Sequence, residues 1–140
     1  MHRFRIFVSY TLRGSDVNYE LLVAIKRKLK SVPWIDTYID IVDNRSSNPQ
    51  AHVMEELSKA DSIWLIRSEL VDTSIWVQLE LQVAKARRIP IVVLNIRDVY
   101  DILKAKCLCQ CLQEKCKIHC LEHPVKYSKS YMGALQHEEL

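Results

Sequence analysis

Short apolar runs alternate along the chain with longer stretches of helical periodicity. Four runs rich in β-branched residues predict buried strands: RIFVSY (5–10), IDTYIDI (35–41), SIWLIRS (62–68) and PIVVLNI (90–96). The intervening segments GSDVNYELLVAIKRKLK, AHVMEELSKA and SIWVQLELQVAKARR have helical periodicity, and the first can be capped by Ser15 or Asp16. This alternation predicts a parallel sheet with helices on both faces, in which ligands bind beyond the carboxyl ends of the strands.

The remaining residues, 97–140, continue the alternation less clearly. DVYDILKAKCLCQCL predicts a helix that is rich in cysteine, KIHCLE a weak edge strand and SKSYMGALQHEE a closing helix. A length of 140 residues fits a single domain. We therefore expect one α/β domain, 1–140, with a five-stranded sheet whose fifth strand is weak.

One predicted helix, residues 74–88, has a carboxylate near the middle of its apolar face. At about 100° per residue, Glu80 lies within roughly a third of a turn of Trp76, Val83 and Ala84. A buried carboxylate without a partner costs several kcal/mol or changes its pKa. Glu80 therefore requires either an ordinary ion pair, with Arg87 or Arg88, or a functional reason.

Glycine content excludes several classes of nucleotide-binding enzyme. The chain has two glycines, so neither G-x-G-x-x-G nor G-x-x-x-x-G-K-[ST] occurs, and a nucleophile elbow is absent as well. A response-regulator receiver needs an acidic pair after the first strand, where Ser9 and Tyr10 stand. It also needs an aspartate at the end of the third strand, where the chain has Arg67 and Ser68.

Charge and hydropathy set the expected environment. The formal net charge is +3, and the basic residues are scattered or lie near predicted helix ends, so we expect no nucleic-acid partner. No apolar run approaches the roughly 18 residues of a membrane span, and no signal peptide is visible. We therefore expect a cytoplasmic protein with free thiols and no membrane contact.

Five cysteines crowd into CLCQCLQEKCKIHC: Cys107, Cys109, Cys111, Cys116 and Cys120. Their C-x-C-x-C spacing differs from that of common structural zinc sites, so we expect no metal. On a helix, Cys107 and Cys111 share a face, which suits small buried apolar side chains. The role of the cluster stays open.

Three features in order resemble a known family. FVSYTLRGSD ends the first predicted strand, YIDIVDN ends the second, and the third leads into Ser74-x-Trp76-x-x-x-Glu80-Leu81 and then IPIVVL. In this order and spacing, residues 4–96 resemble a Toll/interleukin-1 receptor (TIR) domain of the bacterial type. Residues 97–140 match only in element order. The resemblance implies the flavodoxin-like TIR fold.

The resemblance also implies an activity. TIR enzymes cleave the nicotinamide–ribose bond of NAD+ to give nicotinamide plus ADP-ribose or a cyclic isomer, and the glutamate matching Glu80 is their catalytic residue. Bond cleavage builds oxocarbenium-like positive charge on the ribose, which a fixed carboxylate stabilises. NAD+ is then the substrate, and no further cofactor is implied. No residue of the sequence decides between hydrolysis and cyclisation.

Polar residues at the strand ends are the implied NAD+-binding groups. They are Ser9, Tyr10, Arg13, Asp40, Arg45 and Ser68. Arg13 and Arg45 would meet the pyrophosphate, because guanidinium groups match phosphate oxygens, and Trp76 would wall the pocket. Three of these residues have an alternative role that does not involve NAD+: Trp76 as a core residue, Asp40 as a turn cap and Arg45 as a contact to a partner.

Partners follow from the same resemblance. TIR domains associate with one another, and a lone TIR domain is expected to make a signal for a separate effector protein, as in bacterial anti-phage defence. The loop IVDNRSSNPQ lacks the Pro-Gly pair of many TIR domains, which leaves the assembly geometry open, and the chain could equally be a piece of a longer protein. The rival interpretations are a non-catalytic TIR adaptor and a nucleoside deoxyribosyltransferase, which also has a catalytic glutamate.

Overall fold

The computed structural model describes residues 3–106 and Leu108. In chain order its elements are β1 (Phe4–Ser9), α1 (Tyr19–Lys30), β2 (Ile35–Tyr38), α2 (Asp40–Asp43), α3 (Pro49–Ser58), β3 (Ser62–Arg67), α4 (Ile75–Ala86), β4 (Ile91–Asn95) and α5 (Ile96–Lys104). A turn of 3₁₀-helix, Val71–Thr73, precedes α4. The predicted weak strand, the closing helix and all five cysteines lie outside the described residues.

The described strands form one parallel sheet in the order β2-β1-β3-β4. This confirms the predicted α/β class. From β1 the chain goes first to β2 on one side and then to β3 on the other side. The direction of winding therefore reverses between β1 and β3, and the carboxyl ends of these two strands form the topological switch point.

The alternation of side chains along β1 divides the core into two layers and directs Ser9 towards one of them. Ile6 and Val8 of β1 face α1 and α5, whereas Phe7 faces α3 and α4. Ser9 continues the alternation on the Phe7 side, towards α4. Strands β1 and β3 are covered on both faces, which explains why their sequences are apolar nearly throughout.

The predicted end of the second strand, Ile41, is wrong. Strand β2 ends at Tyr38, and Asp40 begins the short helix α2. The carboxylate of Asp43 accepts the backbone N–H of Ile39 at 2.8 Å, which turns the chain out of the sheet. Asp40 therefore stands on a helix beside the strand end.

The predicted cap of the first helix is also wrong. Helix α1 begins after Asn18, whose Oδ1 accepts the N–H of Leu21 at 2.8 Å. Asp16 instead accepts the backbone N–H of Glu69 at 2.8 Å. This bond ties the loop after β1 to the loop after β3, because both loops leave the sheet at its carboxyl edge.

No helix within the described part of the chain has the length and apolar character needed to cross a bilayer.

Candidate functional site

Glu80 lies on the inner side of α4, where it meets the end of β1. The residue is 4% exposed, and its Oε1 accepts a hydrogen bond of 2.7 Å from the hydroxyl of Ser9, which is 1% exposed. Ser9 is the last residue of β1, at the switch point of the sheet. The fold thus joins two predicted site residues that lie 71 positions apart in the chain.

Burial changes the acid–base properties of this carboxyl group. Desolvation raises the pKa of Glu80 from 4.5 to about 7, the Ser9 hydroxyl lowers it, and the charge of Asp40 raises it. The alternative ion pair with Arg87 or Arg88 is wrong, since within residues 3–106 Glu80 forms no ion pair with either exposed arginine. Near neutral pH, small changes in surroundings therefore decide whether Glu80 carries charge.

Helix α4 presents Glu80 at the edge of its buried face. Ser74 caps the helix by accepting the N–H of Val77 at 3.2 Å, and Val77, Leu81 and Ala84 form the buried face. At 100° per residue, Glu80 lies about 70° from the centre of that face. The prediction that Glu80 lies on the inward face of this helix is confirmed, and its position towards one side of that face brings the carboxylate to the switch point.

Trp76 is not a core residue. It is 36% exposed, because it lies a further 40° or so around α4 from Glu80, away from the buried face. Exposed apolar side chains at this edge of the sheet form what we call the apolar rim: Leu12, Ile41, Leu70, Ile75, Trp76 and Leu79. Together these exposed side chains offer apolar area to a binding partner. The role of Trp76 as a pocket wall stays a prediction.

Tyr10 and Asp40 lie at the same edge of the sheet as Glu80. Tyr10 follows β1, and its hydroxyl oxygen accepts the backbone N–H of Ile41 at 2.9 Å. Burial raises the pKa of Tyr10 to about 12, and the charges of Asp40 and Glu80 contribute to that increase. Since Asp40 also raises the pKa of Glu80, the three side chains share one electrostatic environment.

Ser68 places a second buried hydroxyl at the carboxyl edge of the sheet. It follows β3, is 6% exposed, and its Oγ has no hydrogen-bond partner among the described residues. Leaving a buried hydroxyl unpaired costs about 1–3 kcal/mol. The other such atom in the described chain is the indole Nε1 of Trp64, in the apolar core. A polar ligand at the switch point would relieve the cost at Ser68.

The two predicted arginines lie on different loops. Arg13 is exposed after β1, and its Nη1 lies 3.5 Å from the Thr73 hydroxyl. Arg45 is exposed between α2 and α3, and no hydrogen bond within the described chain joins its side chain to the other predicted site residues. The fold therefore brings Arg13 to the edge of the site and leaves Arg45 free to meet a partner or a ligand.

The loops after β1 and β3 touch in two further ways. Gly14 has a φ of 79°, which suits glycine, and a Cβ there would lie 3.4 Å from Leu70 Cδ1. Gly14 therefore allows Leu70 to lie close by, and the bond from the Glu69 N–H to Asp16 holds the two loops together at the carboxyl edge. The sequence pattern does not predict this link between the loops, because Asp16 and Glu69 are more than 50 residues apart.

Two open cavities lie elsewhere on the molecule. They have volumes of about 300 and 340 Å³ and follow the free edge of β2, where both are lined by Lys26, Asp36 and Thr37. Neither lining includes Ser9 or Glu80. The polar cluster at the switch point is therefore a separate feature.

No group of three or more histidine, cysteine, aspartate or glutamate side chains is placed to hold a metal ion in the part of the chain that the structure describes.

A scan against protein-family models and a search of curated proteins give no match to this chain. Function is therefore inferred from the geometry of the site together with the resemblance of residues 4–96 to TIR domains.

Proposed function

We propose that the protein is an NAD+ nucleosidase that cleaves the nicotinamide–ribose bond and releases nicotinamide with ADP-ribose or a cyclic isomer. The observation that carries the proposal is the buried Glu80 carboxyl, bonded by Ser9 at the switch point of a parallel sheet. Ligands of open α/β sheets bind beyond the carboxyl ends of the strands at such a switch point, so Glu80 lies close to the expected ligand position.

The proposed chemistry uses Glu80 in its ionised form. As nicotinamide leaves with the electrons of the glycosidic bond, positive charge grows on the ribose, and the nearby carboxylate stabilises it. Water, which then loses a proton, or the adenine ring of the same molecule forms the new bond to the ribose carbon. Ser9 holds the carboxylate in place with its 2.7 Å hydrogen bond. The positively charged nicotinamide ring of the substrate favours the ionised form of Glu80, whose pKa of about 7 lies close to neutral pH.

The neighbouring polar groups suit the rest of the substrate. Asp40, Tyr10 and the unpaired Ser68 hydroxyl can exchange hydrogen bonds with the ribose and amide groups of NAD+. Arg13, exposed at the edge of the site, and Arg45 carry the charge that pyrophosphate requires. Trp76 offers an aromatic surface on the rim.

Burial of Glu80 implies that the substrate enters only after the rim rearranges. At 4% exposure, the carboxylate of Glu80 in a single copy of the protein is not accessible to a ribose. The loops clasped by Asp16 and Glu69 cross the same edge, so their opening is the required motion. Contact with a second copy through the apolar rim would stabilise the open arrangement, which makes self-association part of the proposal.

The experiment that tests the proposal is nicotinamide release. Purified protein at high concentration is incubated with NAD+, with and without a crowding agent, and the products are separated by liquid chromatography. Nicotinamide appearing in equal amounts with ADP-ribose or an isomer of it supports the proposal. Absence of release under every condition, with folded protein, would overturn it.

The non-catalytic adaptor is the second candidate, and the apolar rim favours it. Six exposed apolar side chains at one edge suit a protein partner without any chemistry. Self-association without nicotinamide release would select this function. Transfer of deoxyribose between two free bases would instead select the deoxyribosyltransferase. As an enzyme, the protein would supply a signal for a separate effector, in the manner of anti-phage systems.

Specific activity is expected to rise about tenfold or more with protein concentration across a hundredfold range. Ordering the loops around the site costs conformational entropy, which contacts with a second copy offset. Arg45→Glu should weaken this rise and leave the melting temperature within a degree or so, because the side chain is exposed on a loop. Activity at each concentration is compared with the mass measured by light scattering.

Arg27→Glu is the matched control for charge. Arg27 is exposed in the last turn of α1, away from the carboxyl edge, so this variant should keep the wild-type concentration dependence. Constant specific activity from a protein that stays monomeric throughout would contradict the role of self-association.

A further inference from the structure

We infer that Tyr38 and Asn44 are positioning residues for Asp40, holding one of its carboxylate oxygens so that the other accepts a hydrogen bond from a ribose hydroxyl of the substrate. The inference rests on the proposed NAD+ cleavage. It assigns roles to two side chains that the sequence pattern did not single out.

One oxygen of Asp40 is fixed by two donors. Its Oδ1 accepts the Tyr38 hydroxyl and the Asn44 side-chain amide, each at 2.8 Å. The same amide nitrogen donates to the carbonyl of Pro49 at 3.1 Å, and the amide oxygen accepts the N–H of Ser46 at 2.9 Å. Asn44 is thus anchored to the start of α3, and its hydrogen bond to Asp40 restricts the orientation of that carboxylate.

The Tyr38 ring is held independently of its hydroxyl. It stacks on Phe7 with ring centroids 5.5 Å apart and meets the edge of His52 at 5.7 Å. Burial and the bond to Asp40 raise the pKa of Tyr38 well above its ordinary value, so the hydroxyl stays a donor throughout the working range of pH. Removing this hydroxyl therefore loosens Asp40 without moving the ring.

The second oxygen of Asp40 and the Tyr10 hydroxyl make a matched acceptor and donor. Asp40 Oδ2 has no hydrogen-bond partner within the described chain. The Tyr10 oxygen already accepts the N–H of Ile41, which leaves its proton free to donate. The residue after Asp40 bonds Tyr10, and the residue before Tyr10 bonds Glu80, so the backbone brings the three side chains to the same edge of the sheet. Such an acceptor–donor pair suits a sugar hydroxyl.

Tyr38→Phe is expected to raise KM for NAD+ about three- to tenfold and to leave kcat within about twofold. A hydrogen bond to a ribose hydroxyl that is present equally in ground and transition states changes KM alone, and one such bond corresponds to a change of this size. Asn44→Ala should act in the same direction. Tyr100→Phe, at an exposed tyrosine of α5, is the matched control and should keep the wild-type KM.

A double-mutant cycle separates positioning from general loosening of the fold. In an Asp40→Ala background, Tyr38→Phe should have no further effect on KM, because the carboxylate through which it acts is gone. The affinity of Glu80→Gln protein for NAD+, measured by calorimetry, should fall by the same factor as the expected rise in KM when Tyr38→Phe is added. This binding measurement does not depend on turnover.

The outcomes distinguish the inference from the proposed function. If wild-type protein releases nicotinamide and Tyr38→Phe retains the wild-type KM and NAD+ affinity, the positioning role is wrong and the proposed function stands. Equal effects of Tyr38→Phe on KM with and without Asp40→Ala also overturn the positioning role. If wild-type protein neither cleaves nor binds NAD+, the proposed function fails first, and the inference fails with it.

Discussion

On the proposed function, we expect Glu80→Gln to lower kcat for NAD+ cleavage by about a hundredfold or more and to leave the fold intact. Glutamine has nearly the same shape as glutamate, and its side-chain oxygen can still accept the Ser9 hydroxyl. It has no negative charge with which to stabilise the growing positive charge on the ribose. Loss of a single group aimed at the transition state has effects of this size in other enzymes.

Nicotinamide release and the circular dichroism spectrum of the variant are measured together. Glu20→Gln, at an exposed glutamate in the first turn of α1, removes the same charge away from the site and should retain full activity. If Glu80→Gln cleaves NAD+ at the wild-type rate, Glu80 is a structural residue and the proposed mechanism is wrong.

The central strands could be read from sequence because they are buried on both faces. Strand β3 was predicted as 62–68 and runs from Ser62 to Arg67, and β4 was predicted as 90–96 and runs from Ile91 to Asn95. Continuous burial requires apolar side chains at every position, and such a run predicts a strand without knowledge of its neighbours.

Strand β2 ended earlier than predicted because a distant contact decides its end. The alternation of IDTYIDI continues through Ile41, so the local pattern indicates a longer strand. In the fold, Lys26 of α1 donates to the carboxylate of Asp43 at 2.9 Å and also bonds the carbonyl of Thr37. These contacts hold α2 against α1, and they depend on the packing of a helix that the local pattern does not include.

In the candidate site, too, local patterns identified some residues, and others depend on contacts between distant elements. Helical periodicity identified Glu80, and the strand end identified Ser9, because each is unusual within its own element. Periodicity also assigned Trp76 to the buried face, where it does not lie, since an apolar residue is tolerated on an exposed rim. Tyr38 and Asn44 were not identified, because their link to Asp40 exists only once α2 and α3 are in place.

We expect the free energy of unfolding of Glu80→Gln, relative to that of wild type, to increase by about 3 kcal/mol from pH 4.5 to pH 7.5. The folded state raises the pKa of Glu80 from 4.5 to about 7, so between these values it binds a proton that the unfolded chain has lost. Wild-type stability therefore falls as pH rises through this window and is constant in this respect above it. A shift of this size corresponds to the stated energy at about 1.4 kcal/mol per unit.

Urea unfolding of both proteins at a series of pH values measures this difference. Titrating groups remote from Glu80 are common to the two chains and cancel in the subtraction, as does any constant cost of burying the glutamine amide. Well below pH 4.5 the difference should be flat, since Glu80 is then neutral in both the folded and the unfolded state. Parallel stability profiles across the whole range would mean that the carboxyl group keeps its ordinary pKa on folding. In that case Glu80 would be solvated in the working protein, and the rim would already be open.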